Sequence, residues 1–483
     1  MSRLQAIAVW FDERLHLTKL FDSTAGHTVP ANAGSWFYVF GSATLVCFVI
    51  QVVTGVCLAL VYQPSASQAW ASLEYLNFQQ PLGWYLRALH GWGSNFMVAI
   101  MAVHMAQVFL FGAYKYPREM TWISGLLLLL CTLGMAFTGQ IMRFDQDAYW
   151  GLGIGASIMG RVPLIGNDLV HLVLGGPIIA GETLSRFVTL HVFVIPGAII
   201  AIVALHLRLV LTAGINEYPE PGKPVVKETY HQEYEALLEE QGVPFYPKAI
   251  DKDIVFSGLV ILAIFVCAAV FGPFGPNGEP DPTLIHTAPR PDFFFLWLFA
   301  ALALLPPYLE TFLLLAAPVV GLGLLFALPF ISGTGEKSPR SRPVAVVGVV
   351  MVFLTIGALT SLAVRSAWSP VMDAWSSTPT PIEYLEGRTP LELQGAVVIQ
   401  AKQCRNCHAL GGDGGERGPA LDGVAVRRTR DQLIRQVLQG GGNMPAYGKN
   451  LKPAEVTALV AFMETLHTAS RAPERDAAAA ERR

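Results

Sequence analysis

The sequence predicts an all-α membrane protein with seven transmembrane helices, followed by a small soluble α-helical domain. Hydrophobic residues make up 53% of the 483 residues and charged residues only 14%, whereas soluble proteins carry roughly 25% charged residues. Seven apolar stretches reach the length of about 20 residues that a membrane-spanning helix needs. From about residue 366 the sequence becomes rich in Pro and Ser, then charged and Gly-rich, with no further apolar run of that length.

Composition divides the chain into seven segments. Residues 1–34 alternate apolar and charged positions at helical spacing and lack the apolar core of a signal peptide, which predicts an amphipathic segment on the membrane surface. A solvated helix is the alternative. The membrane part is predicted to consist of a four-helix domain (35–215), a cytoplasmic linker (216–253) and a three-helix domain (254–365). A tether (366–388), a soluble domain (389–470) and a disordered tail (471–483) are predicted to follow.

The spans follow from the apolar stretches themselves. They are predicted at 35–62, 88–112, 121–142, 187–212, 254–272, 309–331 and 343–365. Short amphipathic helices are predicted between them at 68–78, 145–180 and 291–305.

The distribution of Lys and Arg predicts which side each loop faces, because cytoplasmic loops are enriched in both. With a cytoplasmic N-terminus, the first outer loop, 63–86, contains neither residue, and the other outer loops carry few, such as Arg161 and Arg290. The inner segments hold Arg3, Arg14, Lys19, Lys115, Arg118, Lys223, Lys227, Lys248, Lys252, Lys337, Arg340 and Arg342. Seven spans then place the C-terminal domain outside, in the periplasm of a bacterium. The net charge of −3 gives no reason to expect nucleic acid as a partner.

Four of the 11 histidines fall inside predicted spans and form two matched pairs. His90 and His104 lie 14 residues apart in the second span, and His191 and His206 lie 15 apart in the fourth. Such steps return a helical side chain to within about 40–60° and separate it by about 21–22 Å along the axis. His90 is therefore level with His191, and His104 with His206. Facing imidazoles at two depths predict two bis-histidine haems of the b type; packed, hydrogen-bonded histidines are the alternative.

Glycines and arginines near these histidines support the same hypothesis. Gly41 and Gly55 in the first span, and Gly125 and Gly139 in the third, repeat the 14-residue spacing and would let a flat porphyrin approach the helix backbones. Plain helix packing is the alternative for small residues. Arg87 and Arg118 lie at span ends, where a guanidinium can pair with a haem propionate or extend to the membrane interface.

The C-terminal domain contains the motif Cys404-Arg-Asn-Cys407-His408. Two thiols at this spacing can bind the haem vinyl groups covalently, and the adjacent histidine can supply an axial ligand. Met444, followed by Pro445 in a Gly-rich loop, is the candidate for the opposite ligand. A zinc-binding or redox-active Cys pair and an ordinary loop methionine are the alternatives. Covalent haem c is attached on the outer side in bacteria, which agrees with the predicted sidedness.

These residues carry a resemblance that covers nearly the whole chain. Residues 1–215, with FYVFGSATLVCFVIQVVTG, YPREMTW and SRFVTLHVFVIP, resemble the haem-binding half of cytochrome b from cytochrome bc complexes. The 15-residue histidine step is similar to the plastid-type branch. Residues 245–365 resemble the three-helix second half, subunit IV, which is fused here, and 385–470 resemble a class I cytochrome c.

The resemblance implies a quinol:cytochrome c oxidoreductase coupled to proton translocation. Quinol would be oxidised near the outer haem, one electron passing to a Rieske iron–sulfur protein and the other to the inner haem, with quinone reduced at the inner face. The family's outer Pro-Glu-Trp-Tyr motif reads Pro291-Asp292-Phe293-Phe294 here, and a family Pro-Trp-Asp-Gln reads Arg143-Phe144-Asp145-Gln146. Asp292 and Asp145 are therefore the candidate catalytic carboxylates, with helix capping as the alternative for Asp292.

Two further matches concern the inner face. Lys252 and Asp253 match a Lys-Asp pair near the family's inner quinone site. Plastid-type complexes carry an extra covalent haem on a cysteine where this chain has Val39, so we expect no such haem.

The implied partners follow from the same resemblance. The chain has no Cys-x-His…Cys-x-x-His box, so the Rieske protein is expected to be a separate subunit of a homodimeric complex in the cytoplasmic membrane. A soluble or membrane-bound cytochrome c or a terminal oxidase would accept the electrons. The alternative function is an electron conduit from the quinone pool to another periplasmic oxidoreductase, without a Rieske partner.

Overall fold

The structure is a computed structural model that describes residues 3–467, apart from 177, 178, 180, 282–288, 306, 366–378, 403, 415–417, 441–443, 445, 449 and 450. Most of the predicted tether, the predicted tail and Pro445 lie outside the described residues.

Up to residue 365, the described part of the chain is built from helices and one short pair of strands. In chain order the elements are α1 (Arg3–Leu15), α2 (Leu17–Thr24), β1 (Thr28–Pro30), α3 (Phe40–Ala59), α4 (Ala69–Phe78), α5 (Gly83–Leu110), α6 (Glu119–Met142), α7 (Gln146–Gly160), α8 (Gly166–Leu174), α9 (Gly181–Thr189), α10 (Ile195–Ala213), α11 (Tyr230–Gln241), β2 (Gly242–Pro244), α12 (Asp251–Phe271), α13 (Phe293–Leu304), α14 (Pro307–Ile331) and α15 (Pro343–Arg365). A π-helical turn, Leu190–Val194, joins α9 to α10.

Seven helices within the described residues are long and apolar enough to cross a membrane, which confirms the predicted fold class. They are α3, α5, α6, the continuous α9–α10 helix, α12, α14 and α15. The second span begins at Gly83 rather than near 88, because Arg87 interrupts its apolar sequence without interrupting the helix. Large apolar side chains such as Val56, Phe193, Val319 and Val344 are exposed on these helices, as a lipid-facing surface requires.

The first four spans pack as two pairs, α3 against α5 and α6 against α10. The fifth span, α12, covers the α3–α5 pair, and Ile264 of α12 is fully buried there with Cys47 and Ala43 of α3. The short helix α13 packs against α15 and α5. This arrangement brings residues near position 292 to the end of α6.

The N-terminal segment is tied to the linker after the fourth span. Strand β1 pairs antiparallel with β2, with Val29 opposite Val243. Helices α1 and α2 leave Trp10, Phe11 and Phe21 largely exposed. Exposed aromatic side chains on an amphipathic helix are typical of a membrane-surface segment, and that role stays a prediction.

The C-terminal domain has its own hydrophobic core. Its helices are α16 (Pro390–Ala401), α17 (Val424–Arg427), α18 (Arg430–Gln439) and α19 (Pro453–Met463). Helix α16 packs against α19, and Ile399, Val460 and Phe462 are almost completely buried between the helices. The α16 N-terminus is closed by a capping box in which Thr389 and Glu392 satisfy each other's backbone N–H groups.

Candidate functional site

His90 and His191, which we call the outer pair after the predicted sidedness, face each other between α5 and the π-helical turn. Their ring centroids are 6.3 Å apart and the ring planes are inclined by 70°. Metal–imidazole bonds of about 2 Å on each side, plus roughly 1 Å from each nitrogen to its ring centre, place two axial imidazoles about 6 Å apart. The outer pair therefore has the separation that one metal ion between the two rings requires.

Hydroxyl groups fix which nitrogen of each outer imidazole carries the proton. Thr54 Oγ1 lies 2.8 Å from His90 Nδ1 and donates its own proton to the Ile50 carbonyl. The hydroxyl oxygen must therefore accept from Nδ1–H. Thr138 repeats the arrangement, 2.9 Å from His191 Nδ1, while donating to the Gly134 carbonyl. Both imidazoles are thus held as the tautomer with an unprotonated Nε2, the form that ligates a metal.

The inner pair, His104 and His206, lines one cavity of about 450 Å³. Ser124 Oγ lies 2.9 Å from His206 Nδ1 and donates to the Thr121 carbonyl, which fixes the same tautomer. His104 differs, because its buried Nδ1 has no hydrogen-bond partner among the described residues. A cavity of this size is in the range that holds a cofactor.

Each of the four spaced glycines lies against one imidazole. A Cβ added to Gly139 would lie 2.7 Å from His191 Cε1, and one added to Gly55 would lie 3.2 Å from His90 Cε1. The corresponding distances are 3.3 Å for Gly41 against His104 and 3.5 Å for Gly125 against His206. The glycines therefore make room for each histidine ring against the neighbouring helix. The spacing predicted that they make room for a porphyrin, whereas in the structure each glycine lies against an imidazole.

The π-helical turn explains how a 15-residue step matches a 14-residue step. Ile195 N–H donates to the Leu190 carbonyl, five residues back, so this turn holds one residue more than an α-helical turn. Pro196 follows, and its missing N–H and bulky ring disfavour the α-helical hydrogen bond at this point. The extra residue is absorbed next to His191. His191 and His206 therefore keep the angular relation that His90 and His104 have.

The two predicted propionate partners occupy different surroundings. Arg87 is buried and donates to Asn77 Oδ1 at 2.5 Å and to the backbone carbonyls of Gly275 and Phe274, both at 2.9 Å. These bonds hold the loop after α12. Arg118 lines the inner cavity while donating to the Gly214 carbonyl at 2.9 Å.

The predicted inner quinone residues separate in the structure. The Asp253 carboxylate lines the inner cavity and accepts a hydrogen bond from the Ser42 hydroxyl. Lys252 donates instead to the Gly34 carbonyl. Of the two, Asp253 is the side chain that a ligand in the cavity would meet.

Asp292, the predicted outer carboxylate, precedes α13 at the N-cap position but makes no capping hydrogen bond. Its carboxylate accepts from Arg143 Nη1 at 2.9 Å, and its backbone N–H donates to Gln140 Oε1 at 3.2 Å. Burial raises the pKa of Asp292, although the Arg143 guanidinium acts in the opposite direction. These contacts favour a carboxylate that can accept a proton over the alternative, in which Asp292 only caps α13.

Asp145, the second predicted carboxylate, is fully buried and holds backbone groups. It caps α7 by accepting from Ala148 N–H at 2.9 Å and also accepts from Asn277 N–H at 2.9 Å. Arg143 Nε lies 3.5 Å from Asp145 Oδ2, the oxygen that accepts from Asn277. The geometry favours a structural function for Asp145, as the N-cap of α7 and the anchor of the loop at 277.

In the C-terminal domain, Cys404, His408 and Met444 line one pocket. His408 Nδ1 donates to the Pro419 carbonyl at 2.7 Å, which leaves Nε2 unprotonated. A Cβ on Gly418 would overlap the His408 ring, at 2.4 Å from Cε1. Neither Cys404 nor Cys407 is part of a disulfide bond, so both sulfur atoms are available for attachment to vinyl groups.

Comparisons with known proteins decide the family. The family model for cytochrome b/b6/petB matches residues 25–214. A cytochrome bc complex cytochrome b subunit from Chlorobaculum thiosulfatiphilum is 32% identical over 366 residues, which are 74% of this chain and 80% of that relative. The chain belongs to the cytochrome b/b6 family. Cytochrome b6 of Synechococcus sp. (strain JA-3-3Ab) is 36% identical over 207 residues, 43% of this chain and 96% of that protein.

Two further matches extend this result beyond the first four spans. A solved structure described as a hyperthermophilic respiratory Complex III has a TM-score of 0.62 and 28% sequence identity, covering 74% of this chain and 91% of that chain. Residues 391–463 match the family model for subunit III of cbb3-type cytochrome c oxidase. The predicted resemblance is confirmed: this cytochrome b has both halves fused and carries a cytochrome c domain. The two families imply haem b in the membrane part and haem c in the C-terminal domain.

Sequence reasoning missed the hydroxyl groups that orient the histidines of this cytochrome b. In three of four cases the hydroxyl residue directly precedes the glycine, as Thr54-Gly55, Ser124-Gly125 and Thr138-Gly139. The fourth glycine follows Phe40, and it is the one whose histidine, His104, lacks a partner on Nδ1. A hydroxyl-glycine step repeated at the histidine spacing is therefore the signal that could have identified them.

Proposed function

We propose that this cytochrome b is the b/c subunit of a quinol:cytochrome c oxidoreductase. It would oxidise membrane quinol at an outer site, move electrons between two haems b and pass them outward through one haem c, coupled to proton translocation. The observation that carries the proposal is the geometry of the two histidine pairs, which are held at two depths on the same two helices. In three of the four rings, the hydrogen bond between Nδ1 and a hydroxyl leaves Nε2 unprotonated, as a metal ligand requires.

The proposed ligands of the haems b are the outer and inner pairs, and those of haem c are Cys404, Cys407, His408 and Met444. Each bound haem would supply a one-electron redox centre. Gly41, Gly55, Gly125 and Gly139 keep the ligand rings in place, and the hydroxyls on α3 and α6 fix the tautomer of three of them. Arg118, which lines the inner cavity, is the better placed of the two arginines to meet a haem carboxylate.

Asp292 is the proposed proton acceptor for quinol. Arg143 is a single guanidinium between two carboxylates, and Asp145 is already held by two backbone N–H groups. Asp292 is therefore the surplus negative charge, and its protonation leaves a neutral Arg143–Asp145 pair. A buried negative charge that no cation neutralises is unfavourable, so this arrangement favours uptake of a proton by the Asp292 carboxylate.

At the inner face, quinone is proposed to bind beside Asp253, next to the haem that the inner pair would hold. Asp253 lines the inner cavity, held by Ser42, and can pass a proton to a reduced quinone. Lys252 lies next to it along the chain but is engaged with the Gly34 carbonyl. We therefore assign Lys252 to holding the backbone at residue 34 and Asp253 to the site itself.

The proposed partners follow from the relatives, which are subunits of cytochrome bc complexes. A Rieske iron–sulfur protein would take one of the two electrons of quinol. A cytochrome c or a terminal oxidase would take the electron that leaves the C-terminal domain, and the complex would be a homodimer in the cytoplasmic membrane of a bacterium.

The purified complex tests this function directly. We expect quinol to reduce a c-type cytochrome in its presence, and pyridine haemochrome analysis to give two haems b per haem c. A ratio of one to one would contradict the two histidine pairs. Reduction of the b haems by quinol without a co-purifying Rieske protein, and without cytochrome c reduction, would support the conduit function instead.

The orientation of the chain is tested by protease accessibility. The count of spans and the Lys and Arg distribution predict an outward-facing C-terminal domain, so protease added to intact spheroplasts should release a fragment that stains for haem. The cut is expected in the tether predicted at 366–388. Cleavage only in inverted vesicles would mean that the orientation is reversed.

A further inference from the structure

We propose that Arg143 is a positioning residue of the outer quinol site, which holds Asp292 as an anion and thereby sets the lowest pH at which the site accepts a proton. This inference rests on the proposed function of Asp292 and adds a residue that controls it. The two residues are 149 positions apart in the sequence and pair at 2.9 Å.

The guanidinium of Arg143 lies between the carboxylates of Asp145 and Asp292. Its side chain is 14% exposed, and Nε makes no hydrogen bond to a described residue although Asp145 Oδ2 lies 3.5 Å away. A buried cation without anionic partners is strongly unfavourable. Arg143 therefore stabilises the Asp292 carboxylate, and two of the departures from the family motifs, those at 143 and 292, pair with each other.

The contact between α6 and the start of α13 does not depend on Arg143 alone. Gln140 accepts from the Asp292 backbone, and the rings of Phe137 and Phe295 are packed edge to face with centroids 6.1 Å apart. Replacing Arg143 should therefore leave α13 in place. The effect of the replacement is then electrostatic and can be measured as such.

The proton transfer balances within this network. The O–H bond of the quinol breaks and a new O–H bond forms on Asp292, while the bonding pair stays on the quinol oxygen. The net charge of Arg143, Asp145 and Asp292 goes from −1 to 0. Arg143 remains paired with Asp145, so no uncompensated cation is left behind.

Other charged groups surround the pair and have to be kept constant in any test. Asp147 of α7 and Arg87 of α5 both interact electrostatically with Arg143. Asp145 acts on Asp292 as a second negative charge. Arg290 lies two residues before Asp292 and donates to the Val364 carbonyl at 3.1 Å. None of these groups is altered by a substitution at 143.

The test is the pH dependence of quinol-driven b-haem reduction in the assembled complex carrying Arg143→Gln. The pKa of the Asp292 carboxyl is held down by Arg143, so its loss should raise that pKa. Because the acceptor has to be deprotonated, the acid limb of the rate profile should move to higher pH by about 1–3 units, the range for a carboxylate beside a guanidinium. Arg143→Lys, which keeps the charge, should keep the limb near its wild-type position.

A control variant and two outcomes separate this inference from the function on which it rests. Arg161→Gln removes another positive charge from the predicted outer side, where Arg161 donates to Thr311 Oγ1 at 3.1 Å, and should leave the limb in place. Arg143→Met, which keeps the aliphatic stem, is the second variant if Gln lowers the haem content. An unshifted limb with a uniformly lower rate would overturn the inference for Arg143. Wild-type turnover in Asp292→Asn would instead refute Asp292 as the acceptor.

Discussion

Replacing His206 with Leu is expected to halve the haem b content of the complex while leaving haem c intact. The substitution removes one of the two proposed ligands of the inner haem, which no covalent bond would retain, and puts an apolar side chain into the cavity. Pyridine haemochrome analysis should therefore change from two haems b per haem c to one. Haem staining on a denaturing gel should be unchanged, because haem c would stay attached to Cys404 and Cys407.

His171→Leu provides the matched control. His171 lies on α8, a short helix outside the seven spans, and is not one of the proposed haem ligands, so its loss should leave the ratio at two to one. If the His206 variant also contained two haems b per haem c, the assignment of the inner pair as haem ligands would be wrong. Loss of both haems b would mean that the substitution unfolds the bundle, and His104→Leu would then be the independent test of the same site.

The histidine pairs could be predicted from the sequence because a helix has a fixed rise and rotation per residue. A span identified by its apolar run gives the depth of each side chain to within a turn, and two spans in the same direction give level pairs. The seven spans follow for the same reason, since membrane thickness fixes the length of an apolar helix. The predicted starts of α3 and α5 were less exact. Helix α3 begins at Phe40 rather than 35, and α5 begins at Gly83 rather than 88, because the apolar pattern does not mark where a helix starts.

The π-helical turn at Leu190–Val194 could not be predicted from the hydrophobic pattern. A single extra residue in one turn leaves the composition of the span unchanged. Pro196 was visible in the sequence, but a proline within a span can also produce a kink without an added residue. The angular mismatch of the 15-residue step was the only sign that His191 and His206 needed a local adjustment.

The hydrogen-bond partners of the outer carboxylates also could not be predicted from the sequence. The resemblance to the family made both Asp145 and Asp292 candidate catalytic carboxylates. The structure distinguishes them because Asp145 receives two backbone N–H groups, one from Asn277, more than 130 residues away. Arg143, the partner of Asp292, is 149 residues away from it in the chain, and no local pattern pairs the two residues.

The second large effect is expected for Asp292→Asn, which should slow quinol-dependent b-haem reduction by about 10²-fold, the usual cost of losing a general base. Asn retains the shape of the side chain and can accept the hydrogen bond from Arg143. The variant also leaves Arg143 neutralised by Asp145, so the complex should assemble with full haem content. Stopped-flow measurement of b-haem reduction after mixing with quinol gives the rate, and the haemochrome spectrum confirms assembly.

Asp147→Asn is the matched control for this experiment, because it removes a neighbouring half-buried carboxylate that is hydrogen-bonded to the Asn277 side chain rather than to Arg143. If charge on the outer face were the only requirement, both variants would slow the reaction by similar factors. If Asp292 were only the N-cap of α13, Asn would replace it well, since Asn and Asp are both favoured caps, and turnover would stay near the wild-type rate. A large loss confined to Asp292→Asn is the result expected of a proton acceptor, because an amide in the same position keeps the hydrogen bond but cannot take up the quinol proton.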